Sequence, residues 1–355
     1  MRVFSGFIVF IIAISLSACN SASQDSEADQ KGSENSQPDS TAPQGQIAPS
    51  DRLDSLDAVL KSDPNNLEAL TLRGKKRMKR GDLQNALFDF QRVQEIDSTY
   101  QDMLLALGEL YMRRNQSRQA RDAWLSCANN SPQALDCRIN LGRLYASVQD
   151  YKPALNFLNE AIEIDPYNAE AHLLKGVVIR DGVRDTNLAL TFIQRATELD
   201  QEYVEALDLM GVMLADKEDT LAPYYYKRIL NIDPERWDIY YKLGVYYMNQ
   251  DEINRALEAY TKATQINPYD ADSYYNMGYL FTTQVKDYRE AKKYFSQSIQ
   301  AKPNNNYKAY YGRAYAYEML GDVINAEKDY LKSLELLPLY QPAREGLARV
   351  RKSKQ

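Results

Sequence analysis

Apolar side chains recur at helical spacing along most of the chain, and the pattern returns about every 34 residues from Leu67 to Tyr340. In one clear copy, Gly142 lies in a first predicted helix, Ala154 lies in a second, and Pro166 ends it. A period in this range predicts a solenoid, in which each helix–turn–helix unit buries its apolar face only against its neighbours. Such an array presents one long curved surface, which favours binding over catalysis.

The repeat divides residues 67–340 into eight predicted units. Their ranges are 67–100, 101–134, 135–168, 169–202, 203–236, 237–270, 271–306 and 307–340. Residues 51–66 precede them and predict a lone helix, with Leu56 and Leu60 on its apolar face, which is like the second half of a unit. Residues 341–355 follow and predict an amphipathic helix that caps the array, as the end of a solenoid requires. We therefore expect an all-α protein.

Small residues and prolines recur at fixed places in the units. Glycines recur in the first helices, all eight second helices carry an alanine, and a proline closes most second helices: Gly108, Gly142, Gly176, Gly211, Gly244 and Gly278; Ala86, Ala120, Ala154, Ala189, Ala222, Ala256, Ala291 and Ala326; Pro132, Pro166, Pro234, Pro268, Pro303 and Pro338. This pattern resembles the tetratricopeptide-repeat family. The resemblance implies a right-handed α-solenoid of about eight repeats, with an N-terminal half-repeat and a C-terminal capping helix.

Some positions depart from that family pattern. Arg73 and Arg77 occupy two normally apolar positions of the first unit, and the turns near Arg184 and Val285 carry an extra residue. Atypical terminal units are expected in a repeat array, so the predicted fold stands despite these departures.

The resemblance implies that first helices line the concave surface, with their fifth, ninth and thirteenth residues among those facing the groove. The first three units present basic residues at these positions, with Glu109 as an acidic exception: Lys75, Lys79, Arg113 and Arg143. The last three units present tyrosines, with two polar neighbours: Tyr241, Tyr275, Tyr279, Tyr311 and Tyr315, beside Lys242 and Asn276. We expect these residues to bind a partner, since tyrosine is enriched at interfaces. Two alternatives stay open: stacking that only stiffens the superhelix, and binding of sugar rings.

Cys127 and Cys137 are ten residues apart, late in one predicted second helix and early in the next first helix. An oxidising compartment would permit a disulfide between them. Alternatively, Cys127 is a free thiol that packs like a small hydrophobic residue. His172 falls at a family packing position, so we expect a core role for it.

The N-terminus predicts a secretory signal, because Arg2 precedes an apolar run at residues 3–18 that is short for a membrane span. The run ends in Leu16-Ser17-Ala18-Cys19, which resembles the lipobox of exported bacterial lipoproteins. The resemblance implies a signal peptide at residues 1–18 and lipidation of Cys19, and Asn20 favours the outer membrane. An ordinary signal peptide with an incidental cysteine is the alternative. Residues 19–50 are then expected to form a disordered tether, since their composition cannot offset the entropy of ordering.

Composition excludes several classes of function. A net charge of -6 gives no general attraction to nucleic acid, and one histidine with three cysteines leaves little for a metal site or a catalytic relay. No phosphate-binding loop, G-x-S-x-G or HExxH motif occurs, so we expect neither an enzyme nor a cofactor.

We therefore predict a lipid-anchored adaptor that binds envelope proteins or peptide segments in its groove. The alternatives are a surface lipoprotein that binds glycan or nutrient beside an outer-membrane transporter, and a pilotin-like assembly factor for a pilus or secretion system. End repeats could also join copies into a homo-oligomer.

Overall fold

The computed structural model describes residues 53–353, which contain eighteen α-helices and no strand. The helices are α1 (Leu53–Ser62), α2 (Leu67–Lys79), α3 (Leu83–Ile96), α4 (Gln101–Arg113), α5 (Ser117–Asn130), α6 (Leu135–Ser147), α7 (Tyr151–Ile164), α8 (Ala169–Val178), α9 (Thr186–Leu199), α10 (Val204–Asp216), α11 (Ala222–Ile232), α12 (Trp237–Asn249), α13 (Ile253–Ile266), α14 (Ala271–Leu280), α15 (Tyr288–Ala301), α16 (Tyr307–Met319), α17 (Val323–Leu336) and α18 (Gln341–Lys352). The predicted signal peptide, Cys19 and tether lie outside the described residues.

Consecutive helices pack in pairs, from α2 with α3 to α16 with α17, and one pair falls in each of the eight predicted units. The half-repeat α1 packs on α2, and α18 packs on α17 and α16. The all-α solenoid predicted from the sequence is therefore confirmed.

First helices form the inner layer of this array. Several first helices contact the first helix of the next repeat directly, as α2 does with α4, α6 with α8 and α14 with α16, and α16 also contacts α18. Among the described residues, second helices of adjacent repeats pack less closely. Helices approach more closely on the inside of a curve, so the first helices line the concave surface.

The glycines of the first helices allow a large core side chain of the second helix to lie against the backbone. A Cβ atom at Gly244 would lie 2.5 Å from the buried ring of Tyr260, and one at Gly142 would lie 2.6 Å from Leu158. Neither distance is compatible with van der Waals packing, which explains the small residue.

The extra residue in two turns is absorbed by π-helical turns that extend α8 and α14, at Ile179–Val183 and Phe281–Val285. The chain then leaves the helix through a left-handed residue, Arg184 at φ 62° and Lys286 at φ 59°. A π-turn accommodates one additional residue and leaves the packing of the following helix unchanged. The extra residue near Arg184 shifts only the numbering, so the first helix of the fifth repeat, α10, begins at Val204, one residue after the predicted start of its unit.

Candidate partner-binding groove

Five tyrosines gather at the C-terminal end of the concave surface, and we call them the tyrosine cluster. They are Tyr275 and Tyr279 on α14, Tyr307 and Tyr311 on α16, and Tyr340, which caps α18. The Tyr340 ring centroid lies 4.9 Å from that of Tyr307 and 5.4 Å from that of Tyr311, both edge to face. The other four tyrosines lie close enough to Tyr275 to disfavour ionisation of the Tyr275 hydroxyl. Three successive inner helices therefore contribute to one aromatic surface.

The cluster is electrically neutral at physiological pH. Burial, with smaller contributions from the neighbouring tyrosines, raises the pKa of Tyr275 to about 12 and that of Tyr340 to about 12. Burial also raises the pKa of Tyr311, although the charge of Arg349 opposes the shift. These rings are half-buried, while Tyr279 is 46% exposed. The surface thus offers aromatic edges and neutral hydroxyl groups.

The inward side of each fifth-position tyrosine packs on the core. The ring of Tyr241 lies 6.1 Å from Tyr260, and that of Tyr311 lies 5.9 Å from Tyr330. Tyr275 similarly lies 5.7 Å from Phe295. Packing that stiffens the superhelix thus involves one face of these three rings. The other face of each ring is partly exposed on the groove side. Tyr315 packs edge to face on Tyr288, at 6.3 Å.

The two polar neighbours of the tyrosines already have partners. The Lys242 ammonium lies 2.6 Å and 2.7 Å from the two carboxylate oxygens of Asp208, which belongs to the preceding repeat. Asn276 donates a hydrogen bond of 3.1 Å to the Tyr260 hydroxyl. Both residues therefore tie the groove wall together and are less available to a ligand.

The basic residues of the first three repeats lie around one carboxylate, Glu109. Burial raises the pKa of Glu109, while Lys75, Arg113 and Arg143 act to lower it. Arg113 also donates a 3.1 Å hydrogen bond to the Met78 carbonyl of the preceding repeat. Arg143 forms an ion pair with Glu170 of the following repeat. Lys79 is exposed at the end of α2. This end of the groove is a charged surface, unlike the aromatic end.

Tyr307 and Tyr340 are not among the residues predicted from the sequence. The predicted groove residues are the fifth, ninth and thirteenth of complete units, whereas Tyr307 begins α16 and Tyr340 precedes the cap helix. The high tyrosine content of the last repeats was the available signal, but it did not separate these two from packing residues.

The structure joins Cys127 and Cys137 by a disulfide, with Cα atoms 6.2 Å apart. It links α5 to α6 and therefore the second repeat to the third. His172 is buried; its Nε2 atom lies 3.0 Å from the Pro166 carbonyl, and its ring stacks on Phe192. These contacts are those of a core residue.

Within residues 53–353, no group of three or more His, Cys, Asp and Glu side chains is arranged to hold a metal ion. In the same part of the chain, none of the helices combines the length and apolar character needed to cross a bilayer.

Sequence comparison matches the tetratricopeptide-repeat family at residues 135–168, 237–270, 271–305 and 307–338. An uncharacterized protein of Methanocaldococcus jannaschii is 30% identical over 73 residues, which cover 21% of this chain and 84% of that protein. The general transcriptional corepressor of Schizosaccharomyces pombe is 25% identical over 168 residues, covering 47% of this chain but only 12% of the corepressor.

Among solved structures, the chain is similar to the C-terminal part of a tetratricopeptide-repeat protein from Cytophaga hutchinsonii. The TM-score is 0.60 at 17% identity, and the match covers 68% of this chain and 99% of the other. The fold and the groove thus define an all-α repeat scaffold. More specifically, the chain belongs to the tetratricopeptide-repeat family, whose members are protein-interaction scaffolds that bind peptides and protein partners.

Proposed function

We propose that this protein is a lipid-anchored adaptor of the bacterial cell envelope that holds a segment of a partner protein in its concave groove. The observation that carries the proposal is the tyrosine cluster, in which three successive inner helices present half-exposed rings on one surface. A rigid aromatic ring contributes a large contact area at low entropic cost, and its hydroxyl can still form a hydrogen bond.

The anchor in this proposal is Cys19, which lies outside the described residues. Each buried methylene of an acyl chain contributes about 0.8 kcal/mol, and stable anchoring takes more than one chain, which a triacylated cysteine supplies. Residues 20–50 then connect the anchor to the array. Confinement to the membrane, with the outer membrane as the proposed location, raises the effective concentration of protein and partner without any new contact.

The anchor is tested by Cys19→Ser. We expect the variant to leave the membrane fraction and to lose acyl-chain labelling, while a Cys127→Ser variant stays membrane-bound and labelled. A Cys19→Ser protein that remains membrane-bound at high salt would contradict the anchor.

The groove is tested by capture of partners from detergent-solubilised envelopes. We expect Tyr275→Ala/Tyr279→Ala to lose the proteins that the unmodified chain retains, because the variant removes ring area from the tyrosine cluster. Tyr224→Ala is the matched control, since Tyr224 is 57% exposed on the second helix α11. Tyr279→Ala alone, at an exposed position, tests the same point if the double variant fails to fold. Equal capture by all variants would sink the proposal.

A saccharide ligand is the second candidate, because half-exposed rings can also stack on sugars. A glycan array probed with the full chain would then return a defined saccharide. Envelope capture would return no protein that the unmodified chain retains and Tyr279→Ala loses. Capture of a pilus or secretion-system subunit would instead assign the adaptor to assembly of that machinery.

A further inference from the structure

Basic residues gather at one edge of the first two repeats. Each first helix turns into its second helix at this edge of the array, which we call the hairpin edge, and successive repeats are joined at the opposite edge, the linker edge. Arg113 donates a 3.1 Å hydrogen bond to the Met78 carbonyl, so the hairpin turns of repeats one and two lie side by side. Together they carry five basic residues, all exposed except the half-buried Arg114, which we call the basic patch: Lys79, Arg80, Arg113, Arg114 and Arg118.

The charge of the basic patch is largely uncompensated. No member of the patch forms an ion pair within residues 53–353. Two acids lie near it: Asp82, which caps α3, and Glu109, whose charge also acts with Lys75 and Arg143. The linker edge of the same repeats has the opposite character, with six acids beside Lys61 and Arg92: Asp63, Glu68, Glu95, Asp97, Asp102 and Asp136. The first two repeats are therefore polarised along their helix axes.

The helix dipole does not account for the patch. The dipole favours basic residues at the end of a helix, but that effect acts on every helix. In repeats one and two, the last residue of the first helix and the residue after it are both basic. In repeats three, five, six and eight the first helix ends at Ser147, Asp216, Asn249 and Met319, and Lys217 is the single basic residue among these four and the residues that follow them. In repeats four and seven, Arg184 and Lys286 each precede a capping aspartate.

The chain enters the array at the same edge as the patch. The half-repeat α1 runs antiparallel to α2, and Asp57 on α1 pairs with Arg73 on α2 at 2.7 Å. Leu53 lies four residues before Asp57, about 6 Å along the helix axis, and Lys79 lies six residues after Arg73, about 9 Å in the same direction. The connection from Cys19 therefore joins the array beside the basic patch.

From this placement we infer that the basic patch binds the anionic phospholipid surface of the membrane that carries the anchor. The inference rests on the proposed lipid anchor and adds a second membrane contact to it. Lysine and arginine form charge-assisted hydrogen bonds with phosphate, and each such cation near an anionic membrane contributes about fivefold in affinity. A basic patch and an acyl chain are signals that anchor a protein jointly. The tyrosine cluster lies in the last two repeats and the cap, so this contact does not occupy it.

Co-sedimentation with vesicles tests the patch without an acyl chain when the full chain carries Cys19→Ser. One set of vesicles contains phosphatidylcholine alone, and the other also contains phosphatidylglycerol. We expect the chain to bind the anionic vesicles at least about tenfold more tightly and to be released as salt screens the charges. Any contribution of the apolar residues 3–18 is common to both sets. Equal binding to the two sets, or binding that salt does not weaken, overturns the inference.

The residues of the patch are tested by adding Lys79→Gln/Arg80→Gln/Arg118→Gln to the same chain. We expect binding to the anionic vesicles to weaken about a hundredfold, at about fivefold for each of the three charges. Lys302→Gln/Lys308→Gln/Arg344→Gln is the matched control, because it removes the same charge from exposed residues on the linker edge at the other end of the array. This control should bind as the parent chain does. An equal loss in both variants would overturn the patch, since net charge alone would then govern binding.

The vesicle result and the tests of the proposed function fail separately. Contact through the patch is sensitive to salt, so it does not hold a Cys19→Ser chain on membranes washed at high salt, and the test of the anchor keeps its meaning. Absence of vesicle binding by a chain whose Cys19 is labelled with acyl groups in cells would overturn the patch and leave the anchor standing. Absence of vesicle binding, together with an envelope protein that the patch variant fails to capture, would also overturn the lipid contact and assign the patch to an acidic protein.

Discussion

Asp89 is fully buried in the first repeat, where it accepts hydrogen bonds from two arginines. Arg73 donates to its two oxygens at 2.7 Å and 3.2 Å, and Arg77 donates at 2.7 Å. Arg73 also pairs with Asp57 of α1 at 2.7 Å. A buried carboxylate is tolerated only when it is paired and hydrogen-bonded. The two arginines at normally apolar positions thus neutralise one acid and attach the half-repeat to the array.

We predict that Asp89→Asn destabilises the first repeat by about 3 kcal/mol, because it leaves two partly buried guanidinium groups without their charge partner. The exposed pair of Arg121 with Asp122 supplies the control, and Asp122→Asn should cost less than about 1 kcal/mol. Hydrogen exchange in increasing urea measures both values, at the α2 and α3 amides for Asp89→Asn and at the α4 and α5 amides for Asp122→Asn. Unchanged protection in Asp89→Asn would contradict the structural role given to this ion cluster.

The sequence identified Arg73 as a departure from the family pattern but did not identify its partner. The missing information was which acid lies opposite it in the second helix. The same sixteen-residue separation recurs between Arg313 and Asp329 in the eighth repeat, at 2.6 Å and 2.9 Å. Both end repeats therefore replace an apolar contact by an arginine–aspartate pair.

At the scale of single elements, the cap helix α18 is attached by polar contacts as well as by packing. Arg349 donates two hydrogen bonds to Glu318 on α16, at 2.9 Å and 3.0 Å, and Tyr330 donates a third at 2.5 Å. Burial alone would raise the pKa of Glu318, but the hydrogen bonds from Arg349 and Tyr330 outweigh it and lower the pKa. The ionised carboxylate is thus the form that holds the cap.

A lowered pKa in the folded state stabilises the protein above the ordinary glutamate pKa of 4.5, and this contribution disappears as the pH falls through the folded value. We therefore predict that α18 amides lose exchange protection on acidification below pH 4.5, by up to about 1 kcal/mol because Arg349 is partly exposed. Glu318→Gln should remove this pH dependence, and Glu335→Gln, which breaks the exposed pair with Lys332, should keep it. The same acid response in both variants would contradict the role of Glu318.

The junction between α5 and α6 is held by the Cys127–Cys137 disulfide and by Arg138. The buried Arg138 side chain donates to three carbonyls, that of Ala128 in the last turn of α5 and those of Ser131 and Ala134 in the connecting turn. We predict that reduction lowers the stability of this junction by about 2–3 kcal/mol, through the entropy of the opened loop. Exchange protection of α5 and α6 with and without reductant measures the loss. A Cys127→Ser/Cys137→Ser protein should be insensitive to reductant, and equal protection with and without reductant in the unmodified chain would contradict the prediction.

The helices themselves were predictable because each must bury one apolar face against a neighbour. That requirement places apolar residues three and four positions apart in the sequence, where the spacing can be recognised. The geometry of the longer turns was not. An extra residue near Arg184 or Val285 can enlarge a loop or enter a π-turn, and only the packing of α8 on α9 and of α14 on α15 selects the second outcome.

For the molecule as a whole, the sequence predicted a concave surface with a basic end and an aromatic end, since family positions could be read unit by unit. It did not reveal that Tyr307 and Tyr340 join the aromatic end, because Tyr307 begins α16 and Tyr340 precedes α18, outside the fifth, ninth and thirteenth positions of the units.

The most direct test of the central claim is photo-crosslinking in intact cells from a probe at position 279, compared with the same probe at position 224. The groove account predicts defined protein crosslinks from position 279, which lies in the groove, and none in common from position 224 on the outer layer. These crosslinks should fade when Tyr275→Ala is added. Identical crosslinks from both positions, or none from position 279 in membranes that retain the protein, would contradict it.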